Sequence, residues 1–399
     1  MNEDKVANKP SVTLGLEQLI QSPEAALGGR RIGLLCNAAS LDSRFVHARR
    51  LLQDWAGDRL CALFTPQHGL YGEKQDNMIE SEDRSDPMLN IPVFSLYGKT
   101  RIPTRKMFDA IDTLIVDLQD VGTRVYTFIY TVSYCMEAAR RFGKAVVILD
   151  RPNPVGGIQL EGGCLKPEWQ SFVGRFPIPM RHGLTMGELA LMFNDAFEIG
   201  CQLKVVPMRG WRRTMLFTDT GLPWVAPSPN LPTAASAMVY PGQVIWEGTN
   251  VSEGRGTTQP FELFGAPYLA PDRLLNHLGT REMDGILLRP LEFEPTSNKW
   301  QGQPCRGFQM HILEARALRP YRTALRLLEA VLACHKEAFA WKDPPYEYEY
   351  HKLPIDLILG DDSIRKHLEA GESIQSLEIS WKNELEAYDK LRQKYLLYS

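Results

Sequence analysis

Residues 60–73 read LCALFTPQHGLYGE, an apolar run that ends in Gln67, His68 and Glu73 with Gly69 and Gly72 between them. A strand with one wet face would alternate apolar and polar residues. Here successive positions are apolar, the pattern of a strand covered on both faces. Leu60–Pro66 is therefore expected inside a sheet flanked by helices. The polar residues after it are either a turn that satisfies its own backbone or the rim of a site.

The same pattern recurs on either side. Arg31–Asn37, Ile91–Leu96, Thr113–Leu118 and Ala145–Asp150 are short, rich in Val, Ile, Leu or Phe, and apolar on consecutive positions. Helical stretches alternate with them at Ser43–Trp55, Thr104–Ala110 and Thr127–Phe142. Ser43 and Thr104 are suited to N-caps, and Gly143 closes the last helix after Arg140 and Arg141. This alternation predicts an α/β domain over residues 1–155, built on an open, mostly parallel, doubly wound sheet.

Residues 156–399 have a different texture, expected of an α+β domain. A helix at Thr185–Ile199 is followed by the strand candidate Leu203–Met208, the proline-rich segment GLPWVAPSPNLPTA and the strand candidate Val239–Glu247. Later strands are expected at Ile286–Phe293 and Phe308–Leu313, and helices at Tyr321–Ala338, Asp361–Ala370 and Ser373–Tyr395. In the last, Leu377, Ile379, Leu385, Tyr388, Leu391 and Tyr395 are spaced as one apolar face.

A chain of 399 residues with 44% hydrophobic and 23% charged residues fits a soluble two-domain protein. Its net charge of −3 gives no electrostatic case for nucleic acid. No apolar run is long enough to span a membrane. The opening MNEDKVANKPSV has no apolar segment, and the seven cysteines are scattered without a CxxC pair. Both features favour a cytoplasmic location with free thiols. Leu96-Tyr97-Gly98-Lys99-Thr100 has Val93 where a phosphate loop needs glycine, and Asn37-Ala38-Ala39-Ser40 carries no GxGxxG. A nucleotide cofactor is not expected. The eight histidines show no paired ligand spacing, so no metal is expected either.

Polar residues collect after the strands. Asn37 follows the first and Gln67 with His68 the second. Asp117, Gln119, Asp120, Arg124 and Tyr126 follow the fourth, and Asp150, Arg151 and Asn153 the fifth. Parallel strands place these ends on one edge, where open α/β sheets bind ligands. The second half adds Arg181-His182-Gly183, Ser228-Pro229-Asn230 and YPGQVIWEGTNVSEGRGTTQPFE, which holds Glu247, Asn250, Glu253 and Arg255. Carboxylates, amides and arginines mixed with Trp and Tyr suit a polyhydroxylated ligand, a small carbohydrate. Taken singly, each residue has a structural reading: Asp150-Arg151 as an ion pair, Asp117 as a cap, His68 as a turn histidine, and Trp211, Trp224 and Trp246 as core.

The stretches TPQHGLYGE, SLYG, DLQDVGTRVYTF, LDRPNPVGG, SFVGRFPIPMRHGLTMGELA, APSPNLPT and YPGQVIWEGTNVSEGRGTTQPFELFGAP resemble those of the exo-β-N-acetylmuramidases of the NamZ type. The resemblance runs from about residue 12 to the closing helix with YLLY. It implies a Rossmann-like N-terminal domain, a smaller α+β C-terminal domain and a cleft between them. It also implies release of N-acetylmuramic acid from the non-reducing end of peptidoglycan fragments; the lack of an apolar opening segment favours recycling of imported wall fragments. The family pattern at 66–69 is Pro-Glu-His-Gly, with the glutamate as its proposed catalytic carboxylate, whereas Gln67 stands here.

An amide cannot transfer a proton near neutral pH. Three readings remain open: another carboxylate replaces it, Gln67 orients a water or the substrate's acetamide, or the protein binds a glycan without cleaving it. Under the first reading Glu73 is the expected donor, with His68 second, and Asp120 serves the anomeric carbon. Arg124, Arg151 or Arg255 would hold the lactyl carboxylate. Asn153, Asn230 and Asn250 would bind the acetamide and hydroxyls, with Asn37, Tyr126, Asp150, His182, Glu247 and Glu253 completing the expected site.

Overall fold

The structure, a computed structural model, describes residues 12–22, 27, 29–280 and 282–399. The opening stretch read above for its lack of an apolar segment lies, up to residue 11, outside the described residues. The first sheet is built from β1 (Ile32–Cys36), β2 (Leu60–Thr65), β3 (Arg84–Ser85), β4 (Pro92–Ser95), β5 (Thr113–Asp117) and β6 (Ala145–Leu149). After the hairpin β7 (Glu161–Cys164) and β8 (Pro179–Arg181), the chain returns to it as β9 (Gln202–Val206). The spatial order is β3-β4-β2-β1-β5-β6-β9. Every pair is parallel except the short edge pair β3–β4. Strand order reverses between β1 and β5, so the sheet is doubly wound, as the alternation predicted. Because β9 pairs with β6, the chain rejoins this sheet well past residue 155.

Successive apolar residues in the strands have a direct cause. In β1, Leu34 packs into a cluster with Leu16, Leu52 and Leu63 on one face. Its neighbour Leu35 joins Phe64, Phe108 and Val116 on the other. Both faces are dry, so a polar residue at either would be stranded. The second cluster continues without a break into the C-terminal half, through Trp246, Phe308 and Leu328. That half holds an antiparallel sheet of β10 (Leu263–Ala266), β11 (Glu282–Met283), β12 (Ile286–Phe293) and β13 (Cys305–Ile312), in the order β10-β13-β12-β11.

Three expectations shift for local reasons. The helix expected from Ser43 begins at Ala48. Asp42 Oδ1 accepts from the backbone N–H of Arg44 (2.9 Å) and Val46 (2.8 Å) and draws those donors into a turn, leaving His47 as the cap. Val239–Glu247 is helical, divided between a helix (Ala234–Gln243) and a 3-10 turn (Val244–Gly248). In the closing helix (Ile374–Arg392) Ile379 is 67% exposed; the buried face runs through Leu377, Trp381 and Tyr388. Among the described residues no helix is long and apolar enough to cross a membrane, and all seven cysteines are free.

Candidate active site

Beyond the C-terminal end of β2 the chain turns sharply at His68, whose φ of 75° is left-handed, and buries Gln67. Thr127, just before the helix Phe128–Phe142, donates its hydroxyl to Gln67 Oε1 at 2.8 Å. That contact turns the amide nitrogen the other way, 3.2 Å from Glu347 Oε1. Gln67 thus forms one wall of a narrow pocket with a cavity volume of about 30 Å³.

The facing wall comes from the second half. Glu247 sits on the 3-10 turn after helix Ala234–Gln243, with Arg255 eight residues later on a loop where Gly254 (φ 80°) and Gly256 (φ 77°) take conformations closed to most side chains. Arg255 Nη2 donates to Glu247 Oε1 at 2.7 Å, and its Nε lies 3.1 Å from Glu253. The other oxygen of Glu247 accepts from Tyr346 (2.7 Å) and Asn77 (3.1 Å). Asn77 Oδ1 also lies 3.5 Å from the Gln67 amide, so the 67–77 and 247–255 loops meet at one site. Tyr126, Tyr240 and Phe261 line the interior.

Burial sets the charge states. It pushes the His68 imidazole down to about 4. The ring donates from Nδ1 to the Lys74 carbonyl (2.6 Å), which leaves Nε2 as an acceptor 3.3 Å from Ser228 Oγ. Neutral His68 is therefore poorly placed to give a proton. Burial likewise raises Glu347 above the usual carboxylate range, against the opposing pull of its Tyr97 and Gln67 hydrogen bonds. Burial would lower the pKa of Arg255, but Glu247 and Glu253 outweigh it and hold the guanidinium charged. Two polar atoms in the pocket have no partner: Arg255 Nη1 and the Tyr126 hydroxyl.

Most other expected residues lie elsewhere and are held by partners within the protein. Arg151 forms a buried two-pronged pair with Asp117 (2.6 and 2.8 Å). Asn37 bonds Pro227 O, and Asp150 accepts from Thr185, Gly187 and Tyr398. Arg124 is wholly buried and donates from Nη2 to the carbonyls of Ile358 and Leu359, while its Nε and Nη1 have no hydrogen-bond partner and line no part of this pocket. Asn153 bonds Leu184 O, and Asn250 bonds Ala338 O and Tyr268. His182 accepts the Leu184 N–H at Nδ1 and so carries its proton on Nε2, 3.3 Å from Asp120. Glu253 is paired with Lys299 as well as Arg255.

Glu73 does not line the pocket: it is partly exposed, accepts from the Tyr71 N–H and pairs with Arg84 at 3.5 Å. Asn230 bonds Gln75 O on the wall of a broad groove of about 680 Å³. This groove shares Arg255 with the pocket. Trp211 and Trp246 are buried, the latter stacked on Phe264 with ring centroids 5.1 Å apart.

Sequence reasoning passed over Asn77, Tyr240, Tyr346 and Glu347. The stretch PPYEYEY (344–350) alternates acids with aromatics, a composition matching the texture singled out elsewhere. Nothing in it says that residue 347 meets residue 67 across 280 positions.

Comparison with known proteins gives a consistent result. The profile of the exo-β-N-acetylmuramidase NamZ N-terminal domain matches residues 32–235, and that of the C-terminal domain residues 238–398. The chain is 41% identical to the peptidoglycan β-N-acetylmuramidase NamZ of Bacillus subtilis (strain 168), over 100% of this chain and 94% of that one. Two crystal structures of DUF1343 family proteins from Bacteroides fragilis NCTC 9343 share the fold. One has a TM-score of 0.87 at 32% identity, covering 98% of this chain and 100% of that one. The other has a TM-score of 0.77 at 28% identity, covering 97% and 99%. With the doubly wound sheet, the antiparallel second sheet and the pocket between them, the chain belongs to the exo-β-N-acetylmuramidase NamZ family.

Proposed function

We propose that this protein is a glycoside hydrolase that removes N-acetylmuramic acid from the non-reducing end of peptidoglycan fragments. The observation that carries this reading is a small polar pocket, lined by Gln67, Tyr126, Glu247 and Glu347, that shares Arg255 with a far larger groove. A pocket of this kind takes a chain terminus, while the groove takes the remainder of the glycan. Ligand pockets usually span about 300–1,000 Å³, a range that the adjoining groove, at about 680 Å³, falls within.

The roles follow from what each group has free. Arg255 keeps one guanidinium nitrogen for the lactyl carboxylate that distinguishes a muramic acid from its parent sugar. Tyr126, Tyr240 and Phe261 offer aromatic surface for C–H faces, and the Tyr126 hydroxyl is a donor for a sugar oxygen. Glu247, ion-paired with Arg255, supplies the negative charge that stabilises the anomeric carbon as it becomes positive. Asp120, engaged with Gly122 N–H and facing His182, is a positioning group behind this wall.

A disaccharide of N-acetylmuramic acid β-linked to N-acetylglucosamine tests the reading. Mass spectrometry is expected to find free N-acetylmuramic acid, and no release from the isomer whose terminal sugar is N-acetylglucosamine. Cleavage of neither across the pH range would overturn it. Gln67 favours a second reading, a glycan-binding protein that does no chemistry. That reading requires calorimetric binding of N-acetylmuramic acid with no product formed.

A further inference from the structure

We infer that Glu347 is the proton donor of this enzyme, standing in for the carboxylate that Gln67 lacks. The inference rests on the hydrolase reading above and assigns a residue to its chemistry. Gln67 Nε2 lies 3.2 Å from Glu347 Oε1, so the missing acid and the present one occupy adjacent places on the same wall. The amide is fixed from behind by Thr127, which makes Gln67 a positioning residue for Glu347 rather than a participant.

The backbone that delivers Glu347 is unusual. Tyr346 and Glu349 exchange both backbone hydrogen bonds at 2.9 Å, closing a two-residue turn. Its central residues, Glu347 (φ 47°) and Tyr348 (φ 67°), are both left-handed. Turns of this kind normally use Asn-Gly, because other side chains crowd the backbone there. A glutamate and a tyrosine in these positions cost about 1–3 kcal/mol each. Strain kept at a pocket wall is expected where the side chain it presents has a use. The result is a glutamate only 5% exposed, at the pocket wall.

The surroundings suit an acid. Tyr97, itself oriented by the Met78 N–H, donates to Glu347 Oε2 at 2.6 Å. Each carboxyl oxygen thus uses one lone pair on a protein donor and keeps another. The charged groups facing it are Glu247, which favours its protonated form, and Arg101, which opposes it. Burial is the larger influence and favours the proton. In the step itself the bond from C1 to the leaving oxygen breaks and the Glu347 proton passes to that oxygen. The departing sugar leaves as a neutral alcohol. The water that bonds to C1 gives its proton back to the Glu347 carboxylate, so the enzyme is restored.

The test is E347Q on two N-acetylmuramic acid β-glycosides, one with a sugar leaving group and one with 2,4-dinitrophenolate. Proton transfer typically contributes about 10²–10⁴-fold. For the sugar leaving group kcat is expected to fall by about that factor with KM little changed, and the basic limb of the pH profile to disappear. Dinitrophenolate needs no proton to depart, so kcat/KM for that substrate, which reports the departure step, is expected to fall less than about tenfold. That second substrate also reports that the variant is folded. Equal losses of kcat/KM on both substrates, or no loss on either, would overturn the assignment to Glu347 and leave the hydrolase reading standing. Wild-type protein that binds N-acetylmuramic acid yet turns over neither glycoside would overturn both.

Discussion

Two places at the carboxyl edge of the first sheet look alike in composition and behave differently. Between β1 and β5, where strand order reverses, open α/β sheets ordinarily bind their ligand. Here Arg151 pairs with Asp117 and donates to Leu41 O, while Ser40 Oγ donates to the Asp117 carbonyl. Every charge in that crevice is answered from within. One strand over, beyond β2, the Gln67 pocket keeps an unused guanidinium nitrogen, a free phenol and a carboxyl group that burial inclines to hold a proton. A site is marked by bonding capacity left over at the wall of a pocket, and polarity alone does not reveal it.

The largest expected effect lies on the crevice side. D117A leaves the Arg151 guanidinium buried without its partner, which typically costs about 3–5 kcal/mol. Denaturant unfolding should register that loss, while turnover per folded molecule holds. A smaller loss would make the crevice wetter, and more like a site, than its geometry indicates.

The next contrast is in pH. Between about pH 4 and 6.5 the unfolded chain takes a proton at His68 that the folded chain refuses, so His68 makes stability rise with pH there. Asp150 acts in the opposite sense: burial pushes it up to about 6, so the folded chain keeps a proton that the unfolded chain has released. The stability of wild type minus that of H68Q is therefore expected to rise by up to about 3 kcal/mol from pH 4 to 6.5 and to level off above pH 7. A difference that stays flat over this range would show His68 to be hydrated.

Within the pocket, R255K keeps the charge and loses the planar fork. The preference for N-acetylmuramic acid over N-acetylglucosamine should drop about tenfold in competition binding, in line with a charged hydrogen bond worth ~1.5–3 kcal/mol. An unchanged preference would take the lactyl group away from Arg255. The smallest effect is expected at Glu73, whose partly exposed pair with Arg84 belongs to a class worth about 0–1 kcal/mol. E73Q should alter turnover less than about tenfold, whereas a loss as large as that of E347Q would return the donor role to Glu73.

Much of this protein was legible from its residues. Apolar runs on consecutive positions placed β1, β2, β5 and β6 within a residue or so of their ends, because burial on both faces constrains each strand position locally. Thr104 caps its helix as expected, and Gly143 closes the next one at φ 65°. Errors arose where side chains compete with the backbone, as Asp42 does ahead of Ala48, and in the Val239–Glu247 run, which helix packing claimed. The motif blocks carried the family, and with it the place of Gln67.

Sequence could not say which polar residues are already engaged. Arg124, Arg151 and Arg255 read alike as candidate anion binders, yet only Arg255 borders the pocket, because the partners of the other two come from segments far away in the chain. Glu347 shows the same limit from the other side. Its role depends on a neighbour 280 positions distant and on a left-handed turn that no local preference would predict. Periodicity and motif are properties of neighbours along the chain, and they determined the fold. Free valence, desolvation and the meeting of two loops are properties of neighbours in space, and only the folded chain decides them.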